Sequence, residues 1–295
     1  MSLKENLYSY LKLTKPTIML LVLITGASAL FIEGSLLDHP LEFLLVLVGL
    51  YLTGGSANAL NQYFERDIDA EMIRTQTRRP LPQGKIPASR ALIFAIMIGV
   101  SGVAIFVLVF NIFTAFLSVA TIIFYSFFYT LYLKPNTPQN IVIGGIAGAM
   151  APVGAWAAAT GEMAVIPWLL FLIIFLWTPP HFWALALFYK SDYEKSGLPM
   201  MPVVKGEKET LRQIMIYSMA LVVISLILYV FNGGWLYLPA ALFMGYFFLK
   251  KSFTAVRIHT EKEYKSLFGF SIVYLFSLFL AIIFDAILKR TLLSV

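Results

Sequence analysis

Asn61, Glu65 and Asp69 recur at intervals of four residues near the end of an apolar run. On a helix such residues drift by about 40° and rise about 6 Å per step, so the three share one face. Two carboxylates and an amide form an oxygen-only donor set. That set suits a hard cation such as Mg2+, which typically joins one or two carboxylates to substrate phosphates. The plainer reading is a solvated helix end whose acids pair with Arg66, Arg74 and Arg78. The small residues leading into the row, Gly54, Gly55, Ser56 and Ala57, argue instead for close packing around it. Just downstream, Arg74-Thr75-Gln76-Thr77-Arg78-Arg79-Pro80-Leu81-Pro82 is a basic, proline-stiffened turn. Metal on some oxygens and guanidinium on others is what a diphosphate needs. A general excess of positive charge on one membrane face would also explain these arginines.

A second group follows Trp177-Thr178-Pro179-Pro180-His181-Phe182-Trp183. Two consecutive prolines are expected to break or kink a span, and an ionisable group inside a span is a functional candidate by default. His181 is a candidate ligand for iron, or a hydrogen-bonded packing residue. Beyond it, Asp192 and Glu194 lie between Lys190 and Lys195, a second acidic and basic cluster. A third stretch holds Tyr125, Tyr129 and Tyr132, which on an α-helix share a face and read as an interfacial aromatic belt. Lys134 is the single charge in the connection that follows.

These residues must be positioned by membrane helices. The chain is 59% hydrophobic and 13% charged over 295 residues, against about 45–50% apolar and about 25% charged in a soluble domain. Apolar runs long enough to cross about 30 Å of hydrocarbon fall at nearly 17–33, 41–63, 89–109, 111–131, 141–160, 164–187, 213–232, 233–249 and 268–288. Nine spans leave no room for a soluble domain, so residues 1–295 read as one all-α integral-membrane domain. Its catalytic loops are expected at about 64–88 and 188–212. The polar, amphipathic N-terminal segment is not expected to be a cleaved signal. Of the 22 Lys and Arg, all but Lys289 and Arg290 fall on one side of this alternating scheme, which places the N-terminus in the cytoplasm. The net charge of +6 is thereby explained by topology; the basic residues form no stripe suited to nucleic acid. The chain has no cysteine, which excludes a disulfide framework, thiolate metal sites and a cysteine nucleophile.

With these motifs in hand, the chain resembles the UbiA-type intramembrane prenyltransferases, whose first motif Asn-x-x-x-Asp-x-x-x-Asp reads here Asn61-x-x-x-Glu65-x-x-x-Asp69. Glu65 is one methylene longer than the superfamily residue and keeps the carboxylate. Leu13-Thr14-Lys15-Pro16, Tyr129-Thr130, Asn140-Ile141-Val142-Ile143-Gly144-Gly145, Pro179-Pro180-His181-Phe182-Trp183-Ala184-Leu185 and Pro199-Met200-Met201-Pro202 resemble the branch that farnesylates haem. The resemblance implies a nine-helix bundle in the cell membrane and Mg2+-assisted ionisation of farnesyl diphosphate, with haem b as acceptor and haem O as product. It further implies that Asn61, Glu65 and Asp69 hold one metal, and that Asp192 with Glu194 holds a second. Lys15, Arg74, Arg78, Lys134, Lys190 and Lys195 would neutralise the diphosphate, and His181 is the haem-binding candidate. Haem A synthase or terminal-oxidase assembly proteins would be the partners that take the product. The alternatives are a prenyltransferase of a quinone precursor such as 4-hydroxybenzoate or a naphthoate and, from another class, a polytopic transporter. A transporter should hold its ionisable groups near the bilayer midplane, whereas here they crowd one rim.

Overall fold

A computed structural model describes residues 3–293, and these are all-helical. A short amphipathic helix α1 (Leu3–Leu13) precedes the first span, α2 (Pro16–Glu33). Then come α3 (Pro40–Phe64), its short extension α4 (Arg66–Glu71), α5 (Ala88–Ile105) and α6 (Ile112–Ile123). α5 and α6 both run on into π-helix, over Phe106–Phe110 and Phe124–Leu133. One candidate span is made of two consecutive segments, α7 (Asn140–Ala149) and α8 (Ala151–Thr160). The rest are α9 (Val165–Phe188), the short α10 (Lys190–Lys195), α11 (Gly206–Asn232), α12 (Tyr237–Ile258) and α13 (Glu261–Leu293).

Local sequence sets the helix ends. Pro16 and Pro40 stand at first-turn positions, where a missing N–H costs nothing. Asn111 caps α6, its Oδ1 accepting from Thr114 N at 2.9 Å, while its Nδ2 donates to Ala157 O of α8 at 2.8 Å.

Among the described residues eight helices are long and apolar enough to cross a bilayer. The apolar run expected as a span at 233–249 falls in α12, a 22-residue helix that is not one of these eight, its apolarity lowered by Lys250, Lys251 and Arg257 in its C-terminal half. The last helix begins well before the expected position 268 because the polar turn Glu261-Lys262-Glu263-Tyr264-Lys265 is helical too. The prolines do not break α9, which runs uninterrupted through Pro179 and Pro180.

α9 is the central helix, the most buried of these spans, and packs against α7, α8, α11 and α13. At the other extreme the α6 span is the least buried and presents Ile112, Phe116, Phe127 and Leu131 outward, as lipid contact requires. α3 and α5 approach closely through small residues: a Cβ on Gly99 would lie 2.5 Å from Ser56 Oγ, which donates to Ala95 O at 2.8 Å. At the end of the bundle away from Asn61, buried Asp285 of α13 accepts from Leu236 N (2.9 Å) and Tyr237 N (2.6 Å), capping the start of α12 from a different helix. Arg290 and Asp38 pair at the same end.

Candidate active site

The Asn61, Glu65 and Asp69 row does not lie on one regular helix, because α3 ends at Phe64 and α4 starts at Arg66. The backbone ladder nevertheless continues across the junction: Glu65 N donates to Asn61 O at 3.0 Å and Asp69 N to Glu65 O at 2.8 Å. All three side chains therefore stay on one side, and all three are buried.

Two cations reach the acids. Arg79 Nη1 lies 3.2 Å from Glu65 Oε2 and also pairs with Asp69, while Lys134 Nζ pairs with Glu65 Oε1. Burial drives the Glu65 carboxyl up, but Lys134 and Arg79 outweigh it and hold it at about 2. At Asp69 burial prevails and the carboxyl is raised, even with Arg79 beside it. Burial would lower the Arg79 guanidinium, but Asp69 and Glu65 raise it.

A third cation stands over Asn61. Lys15 Nζ donates to Asn61 Oδ1 at 2.9 Å from a left-handed backbone (φ 53°), a conformation uncommon for a residue with a Cβ. The turn is gripped by α3: Asn58 Nδ2 donates to Thr14 O, and Gln62 Nε2 to Lys12 O and Leu13 O, at 3.2, 3.1 and 2.9 Å. These amides satisfy carbonyls that the end of α1 leaves open. Burial and the nearby Arg79 charge bring the Lys15 ammonium down to about 7.

The π-helix over Phe124–Leu133 delivers the remaining groups. Thr130 Oγ1 donates to Tyr125 O, five residues back, and accepts from Asn61 Nδ2 at 3.1 Å. The wider turn also separates the tyrosines expected on one face. Tyr125 and Tyr129 stack together, ring centroids 5.1 Å apart, whereas Tyr132 is exposed and stacks on Phe128. π-Helical turns of this kind frequently occur at functional sites. The Tyr129 ring abuts Gly144, where any Cβ would sit 2.3 Å from it.

The other expected residues fall elsewhere. Arg78 is exposed, in a groove with Lys12, Lys85 and Pro80, and Arg79 occupies the place beside the acids. The side chain of Arg74 lies outside the described residues. Asp192 is buried without a side-chain partner among the described residues, while Glu194 faces outward and pairs with Lys190 at 3.5 Å. Lys195 is exposed. His181 is buried, its ring stacked between Trp177 (4.2 Å) and Phe268 (4.5 Å), with Nδ1 2.6 Å from Ser271 Oγ. Arg79 and Thr130 are the site residues that sequence reasoning missed. A signal for Arg79 was present in the row of three arginines, but spacing alone does not choose between neighbours.

Among the described residues no three His, Asp or Glu side chains converge on a point. The donors at the junction are two carboxylates and one amide, a set that fits a hard divalent cation if phosphate oxygens complete the shell. Lys15, Lys134 and Arg79 against Glu65 and Asp69 leave the cluster short of negative charge, as an anionic substrate requires.

The sequence model of the UbiA prenyltransferase family matches residues 21–291. The chain belongs to that family. Among curated UbiA-family relatives, the protoheme IX farnesyltransferase of Gloeobacter violaceus is 46% identical over 97% of this chain and 94% of its own length. That of Erythrobacter litoralis is 48% identical over 94% and 91%. Solved structures agree on the fold. One of digeranylgeranylglyceryl phosphate synthase superposes with a TM-score of 0.78 at 21% identity, covering 96% of this chain and 99% of that one. A UbiA homologue from Archaeoglobus fulgidus bound to DMAPP and Mg2+ gives 0.61 at 16% identity, covering 92% and 99%.

Proposed function

We propose that this membrane enzyme transfers the farnesyl group of farnesyl diphosphate to a vinyl group of protohaem IX, making haem O and releasing diphosphate. The observation that carries the acceptor is the near full-length match, at 46% and 48% identity, to relatives named protoheme IX farnesyltransferase. The buried junction of Asn61, Glu65 and Asp69 supports the diphosphate end of the reaction.

Asn61, Glu65 and Asp69 would hold Mg2+, which when bound supplies Lewis-acid neutralisation of the departing diphosphate. Lys134 and Arg79 occupy the carboxylates before substrate arrives. On binding they turn to phosphate oxygens, which frees the acids for the metal and places charge where it develops as the C–O bond ionises. Lys15 adds a third cation from the α1–α2 turn. Vinyl π-electrons capture the allylic cation, water adds to the cation left on the haem side chain, and its proton is lost to solvent or base. Tyr125 and Tyr129 offer π-faces to the passing positive charge. Asp192, with Glu194 brought inward from Lys190, is our candidate for a second metal position. Lys190 and Lys195 would serve the diphosphate at that loop, as would Arg74 and Arg78 at theirs.

We read the topology as nine spans with the N-terminus and the site cytoplasmic, counting α12 as a span whose lysines reach the interface. The product's consumers would be haem-modifying or oxidase-assembly proteins. The decisive experiment supplies purified protein in detergent with haem b, farnesyl diphosphate and Mg2+. A haem heavier by one farnesyl and one hydroxyl group is expected by mass spectrometry. No such product, with prenylation of 4-hydroxybenzoate in a parallel reaction, would overturn the assignment.

A further inference from the structure

One stripe of α3 faces the turn that joins α1 to α2. Tyr51, Gly55, Asn58 and Gln62 recur at helical spacing, and each meets residues 12–14. Tyr51 Oη and Thr14 Oγ1 share a hydrogen bond at 2.9 Å. At Gly55 a Cβ would lie 3.2 Å from the Thr14 side chain, so the helix runs close against the turn. Asn58 Nδ2 donates to Thr14 O, and Gln62 Nε2 donates to Lys12 O and Leu13 O. Beside them Asn61 Oδ1 accepts from Lys15 Nζ. The last turns of one helix thus hold both the main chain before Lys15 and its ammonium.

Gln62 makes these bonds at the expense of its own carbonyl. Its orientation is forced, because only the amide nitrogen can face two carbonyl oxygens. Oε1 is then left buried with no hydrogen-bond partner among the described residues, a cost that an apolar side chain of the same length would avoid. Packing alone therefore does not favour glutamine here. What the amide supplies is two N–H groups for Lys12 O and Leu13 O.

Those carbonyls immediately precede a strained residue. Lys15 is left-handed, with φ 53° and ψ 65°, and Pro16 biases the residue before it toward extended backbone. Released from the grip, the turn would relax in that direction and carry the ammonium off Asn61. Resting on the reading of Lys15 as a diphosphate cation, we propose that Gln62 is a positioning residue for the reaction. It holds the main chain of the α1–α2 turn so that Lys15 keeps the left-handed conformation that presents its ammonium at the acid row. Asn58 assists from one turn earlier on the same stripe.

A double-mutant cycle tests this in the detergent-purified enzyme, with kcat/KM for farnesyl diphosphate as the readout. Gln62→Met keeps the length of the side chain and loses both donors, and a fall of about tenfold is expected. Lys15→Ala should lower kcat/KM by about 100-fold. Adding Gln62→Met to Lys15→Ala should then cost nothing more, since no ammonium is left to position. Asn58→Leu, which releases Thr14 O, is the second variant and should show the same non-additivity. Losses that multiply with that of Lys15→Ala, or an unchanged kcat/KM in Gln62→Met, overturn the proposal. An unchanged kcat/KM in Lys15→Ala overturns instead the reading of Lys15 on which it rests. Amine acetylation followed by peptide mass spectrometry separates positioning from general loosening. In Gln62→Met, Lys15 should be labelled several-fold faster while Lys134, paired with Glu65, keeps its wild-type rate. Equal acceleration at both lysines would show that Gln62 supports the fold as a whole and would also overturn the proposal.

Discussion

Lys15 Nζ stands 2.9 Å from Asn61 Oδ1 across 46 residues of chain, joining the turn before the first span to the end of the second. The lysine sits in a left-handed backbone at the foot of α2, and the asparagine on the last turn of α3.

The burial of Lys15, with the Arg79 charge nearby, sets a pH dependence. The free-enzyme Lys15 ammonium is held down at about 7, so between about 7 and its ordinary value the folded protein carries fewer protons than the unfolded chain. Stability contributed by this residue therefore rises with pH through that window, whereas attraction for diphosphate falls. The kcat/KM for farnesyl diphosphate, which reports free-enzyme groups, is expected to decline above about pH 7. In Lys15→Arg, which stays charged, the falling limb should shift upward; an unmoved limb would assign the titration elsewhere.

Asp69→Ala removes one of two carboxylates at the junction and is expected to lower kcat by about 100-fold or more, the scale of losing a transition-state charge contact. The fold should survive, since Arg79 retains Glu65. Retained turnover, measured by product mass, would remove Asp69 from the metal set.

Arg79 and Arg78 provide a neighbouring contrast. Arg79→Ala leaves buried Asp69 without its cation and Glu65 with Lys134 alone, and should cost about 3–5 kcal/mol of stability together with activity. Arg78→Ala, on an exposed side chain, should alter stability by less than about 0.5 kcal/mol. Thermal unfolding in one detergent separates the two, and equal losses would contradict the geometry.

Thr130 offers a subtler test. Its proton is committed to Tyr125 O, so it accepts from Asn61 and turns the amide oxygen toward the cations. Thr130→Val should raise the Mg2+ concentration needed for half-maximal rate, by about five- to tenfold for one lost hydrogen bond. Thr130→Ser should restore it. A change in kcat with an unaltered Mg2+ response would show that Thr130 acts through packing.

The helices and the acid row were legible because hydropathy and four-residue spacing are local signals. Lys134 was singled out as the lone charge of its connection, and it does reach Glu65. What was illegible depended on geometry between elements. The choice of Arg79 over Arg78 is settled by the fold of the 72–79 turn, where Thr75 Oγ1 binds Asp69 O at 2.9 Å. The π-helix that parts Tyr132 from Tyr125 and Tyr129 has no spacing signature of its own. Pro179 and Pro180 remain within one helix because packing on four neighbours outweighs the backbone bonds they forgo.

The grip of Asn58 and Gln62 on the α1 carbonyls carries a consequence for biosynthesis. Those carbonyls lack their side-chain partners until residues 58–62 have been synthesised and the second span has inserted. The N-terminal helix therefore docks after α3 rather than before it, and Lys15 is seated only when the chain has returned to the side on which it began. An N-terminal deletion into α1 would leave the spans able to insert while withholding that cation, separating membrane integration from activation.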